Sequence, residues 1–430
     1  RWVPTTVWRV RISSKPHEQA LTSQRQVPIQ TYGAPASMWQ WRTLCATLVR
    51  ANRGSIGGTR NALQSFDSLQ LHQHGGPRVN TPHRWLKHLT VLMALVAPPL
   101  LQAQPPELKL RVVGGLAALN QFTRNEAPFW TTQLKLLSGG RYTAEIVPFD
   151  RAGIRGQELL SMVRLGTVPF GTLLLSQAAP KDAELAAPDL AGLNPDAASL
   201  RRTVAAFRPR LEALLRERHG AELLAVYAYP AQVVFCSKPL ASMAGLRGRT
   251  VRTASATQAD WVEAQGGKAM QIPFADVVAN VRAGNVDCAI TGTMSGNTIG
   301  LHQVTSQIHT MAISWGLAVF VAHGATWRAL PEDLRDLLKR ELPRLERDIW
   351  AESERETDEG VACNVGDASC KGGSLGKMSA VRPGPADQLL RREILKSTVL
   401  PRWLQRCGAA CGDSWNRYLA PLVGIEARPM

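Results

Sequence analysis

By type and setting, Arg252 is the residue best placed to do chemistry. It lies in the short strand-like run Arg249 to Thr253 (RTVRT), and Thr253, Ser255 and Thr257 follow at the start of a helical pattern. A guanidinium offers a permanent charge and a planar fork of donors, and the free N–H groups of a helix start would lie beside it. Both favour a carboxylate. The chemistry this implies is the holding of an organic acid, although a lone arginine also suits a solvated surface, as Arg247 and Arg249 nearby would.

Bond-making chemistry has no comparable cluster. From residue 104 onward there is no Gly-rich phosphate loop, Walker lysine, HExxH or CxxC. His219, His302, His309 and His323 are scattered, and single histidines are more often surface or satisfied core residues than ligands or bases. Asp150 and Asp276 follow Pro-Phe pairs and Asp287 precedes an apolar run, positions where an acid simply caps or starts an element. Ser138-Gly139-Gly140 reads as a turn. We therefore expect no enzyme, no cofactor and no metal site.

A repeat in the order of elements would position Arg252. The first copy runs from the strand Leu108 to Val113 through a helical stretch to the strand Tyr142 to Val147 and Pro148-Phe149. A helix from Gln157 to Arg164, Gly166 and a strand ending near Ser176 complete it. The second runs from Arg249 to Thr253 through a helix near Gln258 to Gln265 to Pro273-Phe274. The helix Asp276 to Arg282, Gly284 and the strand Val286 to Ile290 follow. MVRLGTV and NVRAGNV overlay directly. Strand and helix alternating in this way predict an α/β fold of two lobes with parallel sheets, and a ligand site beyond the strands' carboxyl ends.

Helical stripes frame the repeat. Leu200, Val204, Phe207, Leu211, Leu214 and Leu215 mark a helix over Ala197 to His219, with a kink expected at Pro209. A second stripe from Leu334 to Ile349 continues past Pro343, so Pro331 to Glu359 is either one long spine or two helices broken at that proline. Two short helices, Ala386 to Arg406 and Asp413 to Leu422, close the chain.

The 430 residues carry a formal charge of +16, which invites a nucleic-acid partner, but residues 1–80 hold ten basic and two acidic residues of that balance. Residues 1–80 show no sustained pattern and are expected to be an extension outside the fold, leaving the remainder mildly basic with no nucleic-acid partner expected. Residues 81–103 read as a signal peptide: Arg84, Trp85, Lys87 and His88, then the apolar run Leu89 to Leu101, then a cut near Ala103. That run is too short, and too broken by Pro98 and Pro99, to span a bilayer. The product is expected in the periplasm. Cys363, Cys370, Cys407 and Cys411 fit an oxidising compartment better than a zinc site and leave three disulfide connectivities open. Cys236 and Cys288 lie in apolar runs and read as small buried fillers.

Three segments carry a resemblance: SGGRYTAEIVPFDRAGIRGQELLSMVRLGTV, LRGRTVRTASATQADWVEAQGGKAMQIPFADVVANVRAGNVDCAI and TWRALPEDLRDLL. Over about residues 107 to 360 the chain resembles the solute receptors of tripartite ATP-independent periplasmic (TRAP) transporters. The resemblance implies a two-lobed periplasmic binding protein fold, type II-like, with a long helix spanning both lobes. It further implies capture of a small-molecule carboxylate and delivery to integral-membrane TRAP permease subunits. Arg252 matches the family's arginine for the ligand carboxylate, and Gln232 falls where a second arginine is frequent. Thr291 falls near the place of a frequent asparagine. Ser176, Gln177, Gly114, Gly115 and Trp315 fall where the family lines its pocket. Fewer charges and a nearby tryptophan suggest an apolar or aromatic monocarboxylate.

The domain expectation is residues 104–230 mainly in lobe 1, 231–325 mainly in lobe 2, 326–360 as the spanning helix and 361–430 as a disulfide-stapled loop with helices. The rival functions are a secreted ligand sensor for a membrane kinase and an enzyme on the same two-lobed plan.

Overall fold

The computed structural model describes residues 108–428; the 1–80 extension, the 81–103 signal segment and its cut near Ala103 lie outside the described residues. Two sheets form. The first has the order β2-β1-β3-β10-β4, from β1 (Leu108–Gly114), β2 (Tyr142–Pro148), β3 (Phe170–Leu174), β4 (Ala221–Ala228) and β10 (Leu317–His323). The second has the order β11-β9-β5-β8-β6-β7, from β5 (Gln232–Cys236), β6 (Thr250–Thr253), β7 (Lys268–Gln271), β8 (Cys288–Gly292), β9 (Gln307–Ser314) and β11 (Ser379–Val381).

The repeat is visible in the pairing. In each sheet the opening strand lies between the next two, β1 parallel to β2 and β3, and β6 parallel to β7 and β8. The overlaid heptapeptides mark equivalent turns. The helices α1 (Gly156–Arg164), α2 (Ala197–His219), α3 (Ala256–Glu263) and α4 (Val277–Arg282) follow in chain order. Gly166 after α1 and Gly284 after α4 both hold the left-handed backbone, at φ 72° and 74°, that ends a helix and that glycine adopts without a Cβ penalty.

The expectation of parallel sheets is corrected: both are mixed. β10 runs antiparallel to β3 and β4, and β5 antiparallel to β8 and β9. The cause is that two short links, Tyr229–Ala231 and Trp315–Gly316, carry the chain directly from a strand of one sheet to a strand of the other. The stretch 231–325 accordingly gives its last strand, β10, to the first sheet. The two crossings touch, the Tyr229 N–H donating to the Gly316 carbonyl at 3.2 Å.

After the short helix α5 (Thr293–Thr298), the helix α6 (Glu332–Val365) runs 34 residues through Pro343 as one element. Residues 326–329 belong instead to a separate helix, Gly324–Ala329. Tertiary packing on both sides of the proline outweighs the one backbone bond it removes. On the first sheet, Trp350 Nε1 donates to the Val226 carbonyl at 2.8 Å. Toward the second, Thr293 Oγ1 donates to the Glu356 carbonyl at 2.9 Å and Asn364 Nδ2 to the Thr293 carbonyl at 2.9 Å. Gly360 permits that approach, since a Cβ there would come within 2.2 Å of the Met294 nitrogen. The helix thus ties both lobes together. α2 likewise runs through Pro209 as one element, opened by Asp196 accepting from the Ser199 N–H at 2.7 Å.

Three disulfides are present, and one corrects the sequence reading. Cys236 and Cys288 face each other across β5 and β8 with Cα atoms 4.1 Å apart and are bonded to each other rather than acting as fillers. Their register places the two sulfur atoms in contact, a relation that a sequence separation of 52 conceals. The other four cysteines pair locally, Cys363–Cys370 and Cys407–Cys411. Near the C-terminus, α7 (Leu400–Cys407) ends at the first cysteine of the last disulfide.

Candidate functional site

Between the sheets lies a cleft of about 1050 Å³. Its first-lobe wall is largely apolar, with Leu116, Phe149, Ile154 and Leu174 beside Ser176 and Gln177. The opposite wall holds Arg252 to Thr257, Phe274, Thr291 and Ser295. Tyr229, Gln232 and Gly316 line the cleft at the crossings, and Trp403 and Arg406 of α7 close one edge. Among the described lining residues, Arg155, Lys181, Arg252 and Arg406 are cationic and Asp150 is the sole acid. Such a wall attracts anions.

Arg252 lies within β6, the middle of three parallel strands, and is 4% exposed. Nε donates to the Ile272 carbonyl at 2.9 Å and Nη1 to the Ile290 carbonyl at 2.7 Å. These two bonds fix the plane of the fork. Nη2 has no partner among the described residues, and none of their carboxylates pairs with the group. Burial pushes its pKa down to about 10, so it remains charged at neutral pH. A buried charge without a counter-ion is costly, and a bound carboxylate would offset that cost.

The donors beside it come from α3. Ser255 caps the helix, its Oγ accepting from the Gln258 N–H at 3.2 Å. Thr253 Oγ1 and Gln177 Oε1, on residues that line opposite walls, are buried and have no hydrogen-bond partner among the described residues. Thr291 is 3% exposed at the end of β8, opposite Val233 in the ladder.

Arg252, Gln232, Thr291, Ser176 and Gln177 are therefore brought to one cleft. Trp315 and Gly115 are not on its wall. Trp315 is buried, with Nε1 donating to the Asn194 carbonyl at 3.1 Å and its N–H donating to Asp189 Oδ1 at 2.9 Å, so it wedges the crossing rather than facing a ligand. The Gly115 N–H donates to the buried Glu126 at 2.9 Å, behind Leu116, and Gly114 packs against Phe122. Phe149, Phe274, Gln258, Trp403 and Arg406 were not singled out from sequence. The first two were within reach, because the repeated Pro-Phe pair puts one on each wall.

Hinged lobes around a cleft this large have the architecture of a receptor for a small solute. The chain belongs to the bacterial extracellular solute-binding proteins of family 7, the DctP family, whose model matches residues 113–367. It is a solute receptor of the TRAP class, and the family is one of receptors rather than enzymes. Among solved structures it is similar to DctP7 of Bordetella pertussis, a receptor binding pyroglutamic acid, at 18% identity and TM-score 0.63, covering 72% of this chain and 99% of that one. It is also similar to a TRAP periplasmic solute-binding protein of Desulfovibrio salexigens with bound orotic acid, at 15% identity and TM-score 0.64, covering 73% and 98%. A Marinobacter aquaeolei receptor in an apo open form matches at 21% identity and TM-score 0.60, covering 72% and 99%. No curated protein matches the chain.

Proposed function

We propose that this receptor captures an organic acid in the periplasm, after export through the 81–103 signal segment, and delivers it to integral-membrane TRAP permease subunits. The reading rests on one observation, the buried Arg252 with a free Nη2 and no counter-ion at the cleft. The ligand carboxylate would take Nη2 and displace water from the mouth of β6. Thr291 and Gln232 would add polar contacts from the second lobe, and Ser176 and Gln177 from the first. The crossings at Tyr229–Ala231 and Trp315–Gly316 are where closure would occur, since they are the short strand-to-strand links between the lobes. Seven solved relatives are named with a bound acid, three with pyroglutamate and one each with orotate, galacturonate, malate and succinate, which supports this ligand class.

The test is mass spectrometry of ligand carried through purification, followed by thermal shifts with those five acids. A carboxylate that raises the melting temperature of the parent but not of Arg252→Ala supports the reading. Turnover of the acid would favour an enzyme instead, and an Arg252→Ala variant binding within a few-fold of the parent would remove the assignment. N-terminal sequencing of the exported chain checks the cut near Ala103.

A further inference from the structure

Gln258 determines which end of a neighbouring amide faces the ligand. Its Oε1 accepts from the backbone N–H of Ala254 at 2.7 Å. That N–H can only donate, so the orientation of the Gln258 amide is settled without ambiguity. Its Nε2 must then donate, and it does so to Ser314 Oγ at 2.8 Å and to Gln232 Oε1. Gln232 in turn has its oxygen committed to Gln258, and its Nε2 has no acceptor among the described residues. A chain of two amides thus carries the polarity of one backbone N–H to the cleft wall.

A recess of about 20 Å³ opens beside Gln232, shared with Ser176, Asp189, Gln258, Ser314 and Gly316. That is room for one water or one oxygen atom, not for a carboxylate. The Asp189 carboxyl that lines it accepts from the Trp315 and Gly316 N–H groups and has no cationic partner among the described residues. A second negative charge placed here would meet an acid and an amide instead of a cation.

We propose that Gln258 acts as a positioning residue which turns the Gln232 N–H₂ toward the ligand, making the cleft selective for acids with one carboxylate and one neutral oxygen acceptor over dicarboxylates. The inference deepens the proposed capture of organic acids and rests on it. One guanidinium takes the carboxylate, and the amide takes a carbonyl or hydroxyl oxygen. A dicarboxylate whose second carboxylate falls at Gln232 would leave that charge desolvated against a neutral donor.

Calorimetry on the parent chain with pyroglutamate, orotate, succinate and malate separates the layers. At least one of the first two should bind, and succinate and malate should bind at least tenfold more weakly or not at all. Matched acids that lack the neutral oxygens isolate the amide: cyclopentanecarboxylate against pyroglutamate, and benzoate against orotate. The parent should prefer the oxygen-bearing member of its bound pair by roughly tenfold, the worth of one good hydrogen bond. In Gln258→Met that ratio should collapse toward one, whereas a general packing defect would weaken both members alike. Gln232→Arg should gain affinity for succinate. If no acid bound the parent, the capture reading and this inference would fall together. If acids bound but dicarboxylates matched the others, or if Gln258→Met kept the parent ratio, capture would stand and the selectivity inference would fail.

Discussion

The two lobes share a strand order and spend their equivalent positions differently. In the first, β1 ends at Gly114, and the next N–H, that of Gly115, is held by Glu126, a buried acid with no cationic partner among the described residues. In the second, β6 carries Arg252, a buried cation with no acidic partner among the described residues. Topology therefore supplies a crevice at the strand ends of both lobes, but only the second puts a formal charge on its wall within the strand itself. A fold repeated twice does not repeat its chemistry, and the site must be argued from side chains.

Arg252→Ala breaks that contrast most sharply. A ligand carboxylate left without its ion partner in a desolvated cleft should lose about 3–5 kcal/mol, roughly a hundredfold or more in affinity, as calorimetry would measure. The melting temperature of the empty protein should hold or rise, because the variant discards an uncompensated buried charge. A collapse of the fold would show instead that the guanidinium mainly serves the Ile272 and Ile290 carbonyls.

The lobes also differ in covalent bracing. Cys236–Cys288 closes a 52-residue loop within the second sheet, and no disulfide among the described residues lies within the first. In the chain-entropy account a loop of that length is worth about 4 kcal/mol, whereas the Cys407–Cys411 loop, separated by 4, is worth about 2. Denaturant melts should rank the double alanine variants in that order. Equal losses would mean that strain or residual denatured structure outweighs loop entropy.

Gly115→Ala makes the reciprocal test on the first lobe. An added Cβ would lie 2.8 Å from Tyr229 Oη and 2.9 Å from Glu126 Oε2, both on buried side chains. Overpacking of this kind costs about 1–3 kcal/mol of stability. Acid affinity should change by less than it does in Arg252→Ala, because Gly115 lies behind the cleft wall. A larger binding loss than stability loss would make the β1 end a ligand contact after all.

How much of this was legible follows from which signals are local. The repeat, the helical stripes and Arg252 beside a capped helix are patterns within short windows, and they located the lobes and the cleft side of β6. The mixed sheets were not legible, because the antiparallel strands arise from two crossings that only the three-dimensional path reveals. Cys236 and Cys288 failed for the same reason, their partnership being one of cross-strand register. Trp315 illustrates the remaining limit. Its position in the chain is right for a pocket wall, yet Asp189, 126 residues away, holds its backbone and the Asn194 carbonyl takes its indole.

The buried acid of the first lobe should show itself through pH rather than through a loss of fold or of binding. Desolvation raises Glu126 to about 7 against the hydrogen bonds from Thr172 and Gly115 that lower it. The native state thus binds this proton more tightly than the unfolded chain between about pH 4 and 7. Stability contributed by this group is therefore greatest in acid and declines as pH rises through that window, levelling off above it. Glu356, also raised by burial, acts in the same direction, whereas His302 and His309, lowered by burial, act in the opposite one. A difference measurement removes these common contributions. Glu126→Gln can still accept from the Gly115 N–H and can donate to Thr172, so the packing survives without the titration. Relative to the parent, this variant should gain stability as pH rises from about 4 to about 7 and then level off in parallel urea melts. A constant offset would show that Glu126 keeps an ordinary carboxylate pKa, and the contrast between an uncompensated acid in one lobe and an uncompensated cation in the other would lose its first half.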